Sequence, residues 1–188
     1  VSPLSAAVLT YGPVFHLANA AHYCRESIGM PTLPPPSPRA AAERRPRIGY
    51  VSSDLRDHAV GFAMTDVIET HDRDAFEIFA YDCGIATTDN TRARIKSAAE
   101  HWIDLNPLDD QQAYERIRQD GIDILVDLNG YTKDARTKVF AMRPTPIAVN
   151  WFGFPGTMGS PYHQYLLADE HTIPIGHEQY YSEKVLRL

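Results

Sequence analysis

Three times in this chain a short apolar run ends in a polar loop marked by glycine or proline. The segments are RIGYVSSDLRDHAVG (Arg47 to Gly61), ILVDLNGYTKDAR (Ile124 to Arg136) and IAVNWFGFPGTMGS (Ile147 to Ser160). Each reads as a parallel strand, buried on both faces and therefore almost continuously apolar, that runs into a turn. In open α/β sheets ligands bind outside the carboxyl ends of the strands, so three such loops converge on one crevice. That places Asp54, His58, Asn129, Tyr131, Thr132, Gly153, Pro155, Gly156 and Thr157 around a common site. The pattern is that of the substrate-side half of an enzyme.

The intervening segments alternate in the same way. Val60, Met64, Val67 and Ile68 recur at helical spacing after the first loop. FEIFAYDC (Phe76 to Cys83) reads as a strand, TRARIKSAAEH as a short helix and HWIDL as a strand. Asn106 and Pro107 predict the cap and first position of a helix ending at Gly121, with Asp109 and Asp110 favouring its dipole. Thr132 is expected to cap a helix that contains Val139 and Phe140 and stops at Pro144. IAVNWF and YLLAD are two further strands, and YYSEKVLRL enters another. The sum predicts an α/β fold with a Rossmann-like, doubly wound, largely parallel sheet.

Ahead of it, residues 1–30 read as a short helical segment, a helix or helical pair suited to docking against another body. Residues 31–46 read as a proline-rich linker, and residues 47–188 as the main lobe. Both ends look cut, so the chain reads as a piece of a longer protein.

A net charge of -6 argues against a nucleic-acid partner. Arg39, Arg44, Arg45 and Arg47 cluster in and beside the linker and are expected to be solvated. Cys24 and Cys83 are the only cysteines, with no metal-ligand spacing, which fits a reducing cytoplasm. No apolar run approaches the roughly 18 residues of a membrane span, and AAVLTYGPVF is short and lacks a basic leader.

His58 is the strongest chemical candidate. It lies just beyond the first strand, between Asp57 and a helix, where a neutral imidazole can accept a proton from a hydroxyl nucleophile. The alternative is a surface or helix-capping histidine. The second loop, Asn129 to Thr132, would offer helix N-terminal N–H groups to a phosphate or hydroxyl oxygen, unless Gly130 and Thr132 are only a turn and a cap. In the third, Gly153 and Gly156 permit close backbone approach to a ligand. Alternation along the strand assigns Trp151 to the core and Phe154 to the crevice.

No GxGxxG, GxxxxGK[ST] or GxSxG is present, which disfavours a dinucleotide cofactor, a nucleotide triphosphatase and an α/β-hydrolase. Asp72-Arg73-Asp74 matches a metal-binding DxD, but it precedes a strand and reads as a turn, so no metal is implied.

RIGYVSSDLRDHAVGFAM, FEIFAYDC, IRQDGIDILVDLNGYTKDAR, RPTPIAVNWFGFPGTMGSPYHQYLLAD and EQYYSEKVLRL, in this order, resemble the amino-terminal catalytic lobe of the protein O-GlcNAc transferases, the bacterial members above all. The resemblance covers residues 47 to 188 almost continuously. It implies a two-lobed (GT-B) glycosyltransferase that moves N-acetylglucosamine from UDP-GlcNAc to serine or threonine hydroxyls of acceptor proteins, with inversion and without metal or cofactor. His58 matches the family's histidine proposed as general base, and the FGFPGT and NGYT loops match segments lining the sugar and acceptor site. Residues 1–30 would resemble the tail of a tetratricopeptide array. Ala59 stands where animal members have proline. Asp123 stands where they have histidine, so no role proposed for that histidine transfers. The nucleotide grip would belong to a carboxy-terminal lobe, which leaves this chain inactive alone.

Two other enzymes stay open, a UDP-GlcNAc 2-epimerase-like protein and a transferase of hexose to asparagine. So does a non-catalytic binding lobe whose helical arm recruits partners.

Overall fold

A computed structural model describes residues 1–9, 12–38 and 44–188. Its centre is a seven-stranded sheet, parallel throughout: β1 (Arg47–Ser52), β2 (Glu77–Asp82), β3 (His101–Asp104), β4 (Ile124–Asp127), β5 (Ile147–Trp151), β6 (Tyr165–Ala168) and β7 (Lys184–Arg187). The order β3-β2-β1-β4-β5-β6-β7 reverses direction between β1 and β4. That gap is the switch point where an open sheet parts its loops.

Alternating side chains feed two cores. Val51, Phe79, Tyr81, Leu125 and Ala148 point to one face, where they meet Ala113 and Ile117 of α5 (Asp110–Asp120) and Val139 and Phe140 of α6 (Thr137–Ala141). Their neighbours Tyr50, Ile78, Ala80, Val126 and Val149 point to the other face. There they meet Val60, Met64 and Ile68 of α3 (Ala59–Thr70) and Ile95 of α4 (Asn90–Ala98).

Three local expectations need correction. Helix α5 starts at Asp110, because Asp109 and Gln112 form a capping box that satisfies two N–H groups at once. Asn106 instead donates its amide to Asp104 and the Gly84 carbonyl. Helix α6 starts at Thr137, with no cap from Thr132, whose hydroxyl is taken by the Asn129 amide at 2.9 Å.

The described part of the arginine cluster is half-buried and ion-paired rather than freely solvated. Arg44 grips Asp123 at 2.8 Å, Arg45 grips Glu100 at 2.9 Å, and Arg47, already inside β1, grips Glu77 at 2.7 Å. Carboxylates and carbonyls exposed at the amino edge of the sheet draw the guanidinium groups in. Arg39 lies outside the described residues.

Helices α1 (Pro3–Leu9) and α2 (Pro13–Tyr23), followed by a π-helical turn Cys24–Ile28, dock on the lobe itself, behind the second and third loops. Gly159, at φ 55°, makes this possible: a Cβ there would stand 2.3 Å from the Ala21 nitrogen. Tyr23 meets Tyr131 edge to face at 5.1 Å, and the Cys24 thiol reaches the Tyr162 hydroxyl at 3.4 Å. Among the described residues no helix is long and apolar enough to cross a membrane.

His71, at the end of α3, lies 2.7 Å from the Tyr50 hydroxyl, whose own pKa burial pushes up to about 12. Burial first, then the Arg73 charge, holds the His71 imidazole below its ordinary value of 6.5. Folding thus favours the neutral ring. The stability it contributes is present above that value and is lost as pH falls through it. The urea midpoint is expected to drop between about pH 7.5 and 5.5, and His71→Gln should flatten part of that drop.

Candidate active site

The first loop leaves β1 at Ser53, the second leaves β4 at Leu128 and the third leaves β5 at Phe152. Asn129 ties the first two together across the switch point. Its Oδ1 accepts the Ser53 N–H at 2.7 Å, while its Nδ2 donates to the Ser53 hydroxyl (2.8 Å), Asp54 (3.2 Å) and Thr132 (2.9 Å). Asp54 also receives Arg56 at 3.1 Å. Asp54, Asn129 and Thr132 therefore form one cluster, as the sequence predicts, with Asn129 buried at its centre.

His58 caps α3: its Nδ1 accepts the Val60 N–H at 3.2 Å and stands 3.9 Å from Asp54 Oδ1. The ring is 41% exposed. With Nδ1 an acceptor, the neutral ring carries its proton on Nε2, so the outward nitrogen is a hydrogen-bond donor. Nε2 has no partner among the described residues.

Tyr131 and Phe154 lie deeper than expected. Both are buried with Met158 and Ala20, and the Tyr131 hydroxyl donates to the Met158 carbonyl at 2.6 Å. Burial, with the nearby Cys24 adding to it, pushes the Tyr131 phenol up, out of the range of acid–base work at neutral pH. Thr157 is likewise buried and donates to Glu183 at 2.7 Å. Trp151 packs against the second core, as expected, and also lines a cleft, while Phe154 lines that cleft from a mostly buried position. Strand β5 ends at Trp151, and Phe152, at φ 36°, turns out of the strand. Trp151 and the exposed Phe152 line this largely apolar cleft of ≈ 410 Å³ with Pro155, Gly156, and Ala63 and Val67 of α3. The cleft adjoins the crevice without including Asp54, His58 or Asn129, although His58 caps the helix that forms one of its walls.

Several backbone donors expected to hold a ligand are already occupied. The N–H groups of Asn129 and Gly130 go to Asp127, that of Met158 to Glu183, and that of Gly159 to Thr157. Asp127 and Glu183, neither of them legible as site residues in the sequence, thus shape both loops. Burial pushes the Cys83 thiol up, which removes it as a nucleophile. Asp72 accepts the N–H groups of Asp74 and Ala75, a turn as read.

An all-parallel, doubly wound lobe with three interlocked loops at its switch point is of the Rossmann-like class that holds ligands at that crevice. The chain belongs to glycosyl transferase family 41, whose model matches residues 18–188. It is 39% identical over its full length to a probable UDP-N-acetylglucosamine–peptide N-acetylglucosaminyltransferase of Arabidopsis thaliana, spanning 20% of that protein. It is 40% identical, over 76% of its length, to the UDP-N-acetylglucosamine–peptide N-acetylglucosaminyltransferase of Caenorhabditis elegans, spanning 12% of it. A mutant O-GlcNAc transferase of Thermobaculum terrenum superposes on 95% of this chain with a TM-score of 0.88 and 37% identity, over 34% of the bacterial chain. The lobe is thus the Rossmann-like part of a GT-B glycosyltransferase fold, and the chain spans only a fraction of the relatives it matches.

Proposed function

We propose that this chain forms the sugar- and acceptor-side wall of an inverting transferase that moves N-acetylglucosamine from UDP-GlcNAc to serine or threonine hydroxyls of proteins, with no metal or cofactor. The observation that carries the reading is the interlock of the first two loops through Asn129, with His58 turned outward at their rim, in a lobe of this family. In the reaction the acceptor oxygen attacks the anomeric carbon as the bond to the UDP phosphate oxygen breaks. The charge on the departing diphosphate would be met by cationic side chains and N–H donors of a carboxy-terminal lobe outside this chain, so the 188 residues alone are inactive. The capped Nδ1 supports a role for His58 in orienting the sugar or acceptor through an Nε2–H donor. Relaying the acceptor proton would require the other tautomer and the loss of the cap.

Two buried free cysteines, Cys24 and Cys83, support a reducing cytoplasm. Solvent-facing Val8, Val14 and Phe15 support reading the helical pair as the end of a stacked tetratricopeptide-like array.

The test joins this chain to a family carboxy-terminal lobe and measures transfer from labelled UDP-GlcNAc. His58→Ala is expected to lower kcat about 10- to 100-fold, while His58→Gln, which keeps an amide donor, retains more of it. Equal collapse of both variants would favour proton transfer by the imidazole. Tight UDP binding with no labelled protein would favour the epimerase-like reading or a non-catalytic lobe.

A further inference from the structure

Behind the second and third loops lies a buried chain of three side chains. The Ser160 hydroxyl lies 2.8 Å from His163 Nδ1, and His163 Nε2 lies 3.1 Å from Asp127 Oδ2. Asp127 Oδ1 in turn accepts the N–H groups of Asn129 and Gly130, each at 2.9 Å. The His163 ring is 0% exposed and stacks on Phe140 at 5.1 Å. The tautomer follows from the neighbours. The Asp127 carboxylate can only accept, so the ring proton of a neutral His163 sits on Nε2, directed at Oδ2. Nδ1 then accepts from the Ser160 hydroxyl, whose Oγ also accepts the His163 backbone N–H at 3.3 Å.

The order serine, histidine, carboxylate is that of a hydrolase triad, but Ser160 is 4% exposed and its hydroxyl already serves two bonds. Nucleophilic attack on a substrate is closed to it. What the chain does connect is loops. Ser160 belongs to the third, Asn129 and Gly130 to the second, and the Asn129 side chain continues the path to Ser53 and Asp54 in the first.

We propose that Asp127 and His163 are positioning residues that fasten the second loop to the third and, through Asn129, fix all three loops as one surface. The proposal rests on the reading that these loops form the transferase site. A buried carboxylate with three hydrogen-bond partners holds both loop N–H groups in place, and the imidazole transmits that hold to Ser160.

Two variants separate positioning from bulk stability. His163→Phe keeps the stack on Phe140 and deletes both ring nitrogens. Asp127→Asn keeps an acceptor for the two loop N–H groups but presents an amide donor to the ring, so the imidazole proton must move to Nδ1. In the ¹⁵N-histidine-labelled chain, His163 is expected to carry its proton on Nε2, and on Nδ1 in Asp127→Asn. In His163→Phe, amide exchange at Asn129 and Gly130 is expected to accelerate about 10- to 100-fold while β2 and β3 keep their protection. In the complete transferase, His163→Phe should lower kcat about 10- to 100-fold with the donor KM within about threefold, and Asp127→Asn should keep kcat within about threefold. Unchanged exchange at Asn129 and Gly130 would overturn the proposal. So would acceleration spread evenly over the sheet, or an equal loss of kcat in both variants. If exchange responds as expected but the complete wild-type protein transfers no sugar, the positioning stands and the transferase reading fails.

Discussion

Gly153→Ala is expected to disable the site and to destabilise the lobe by about 3 kcal/mol or more, at the upper end of what overpacking costs. An added Cβ would stand 1.6 Å from the Leu128 carbonyl oxygen and 2.5 Å from its carbon. Both are backbone atoms at the base of the second loop, so no side chain can swing away. The third loop would have to lift off the second and break the surface on which a sugar would rest. Gly156→Ala is the control in the same loop. Its nearest contacts are Phe154 ring carbons at 3.1 and 3.2 Å, which a small ring movement relieves. Urea unfolding of both variants, beside transfer by the complete protein, checks the contrast. A Gly153→Ala protein as stable and active as wild type would mean that the loops do not approach this closely.

Asn129→Asp is expected to be the most damaging isosteric change, lowering transfer by more than about 100-fold because it misplaces the whole rim. The shape is unchanged, but a carboxylate oxygen would replace the amide nitrogen that now donates to Ser53, Asp54 and Thr132. Two carboxylates would then face each other near the 3.2 Å now held by the Asn129–Asp54 hydrogen bond. Repulsion there loosens the first loop from the second, and with it the anchor of His58. Stability should fall by about 1–3 kcal/mol, the cost of buried groups left without partners. Because Asp54 and the new carboxylate would share the strain, activity and stability should recover in part as pH is lowered through the carboxylate range, whereas wild type shows no such gain. Transfer and unfolding measured at two pH values test this.

The framework was legible because it is written locally. Apolar runs gave β1, β2, β4 and β5, and the cluster of Asp54, Asn129 and Thr132 followed from their order, since loops after adjacent parallel strands meet. Errors arose where two local signals competed. Asn106-Pro107 resembles a helix start, yet Asp109 with Gln112 satisfies two donors and wins. Thr132 resembles a cap, yet a side chain three residues earlier claims its hydroxyl. His163 and Glu183 left no trace in the sequence because their decisive partners, Asp127 and Met158, lie 36 and 25 residues away. Asp127 holds the N–H groups of the loop just after it, but it does not read as a site residue because its pairing with His163 spans the same 36 residues. Phe154 lines the cleft as assigned but lies deeper than alternation suggests, because the positive φ at Phe152 turns the chain out of the strand before it.

The arginine ladder at the opposite edge bears on how such a lobe can diversify. Arg44, Arg45 and Arg47 bind the starts of the strands, while the ligand loops leave from their ends. The strands, and the helices that return alongside them, separate the two edges. Asp123 belongs wholly to the former edge, where it holds Arg44 and the Arg47 backbone N–H. A lineage can therefore exchange loop residues, and with them the ligand it prefers, while the ladder keeps the scaffold above the threshold at which it unfolds. Specificity can drift on one rim without the other rim being rewritten.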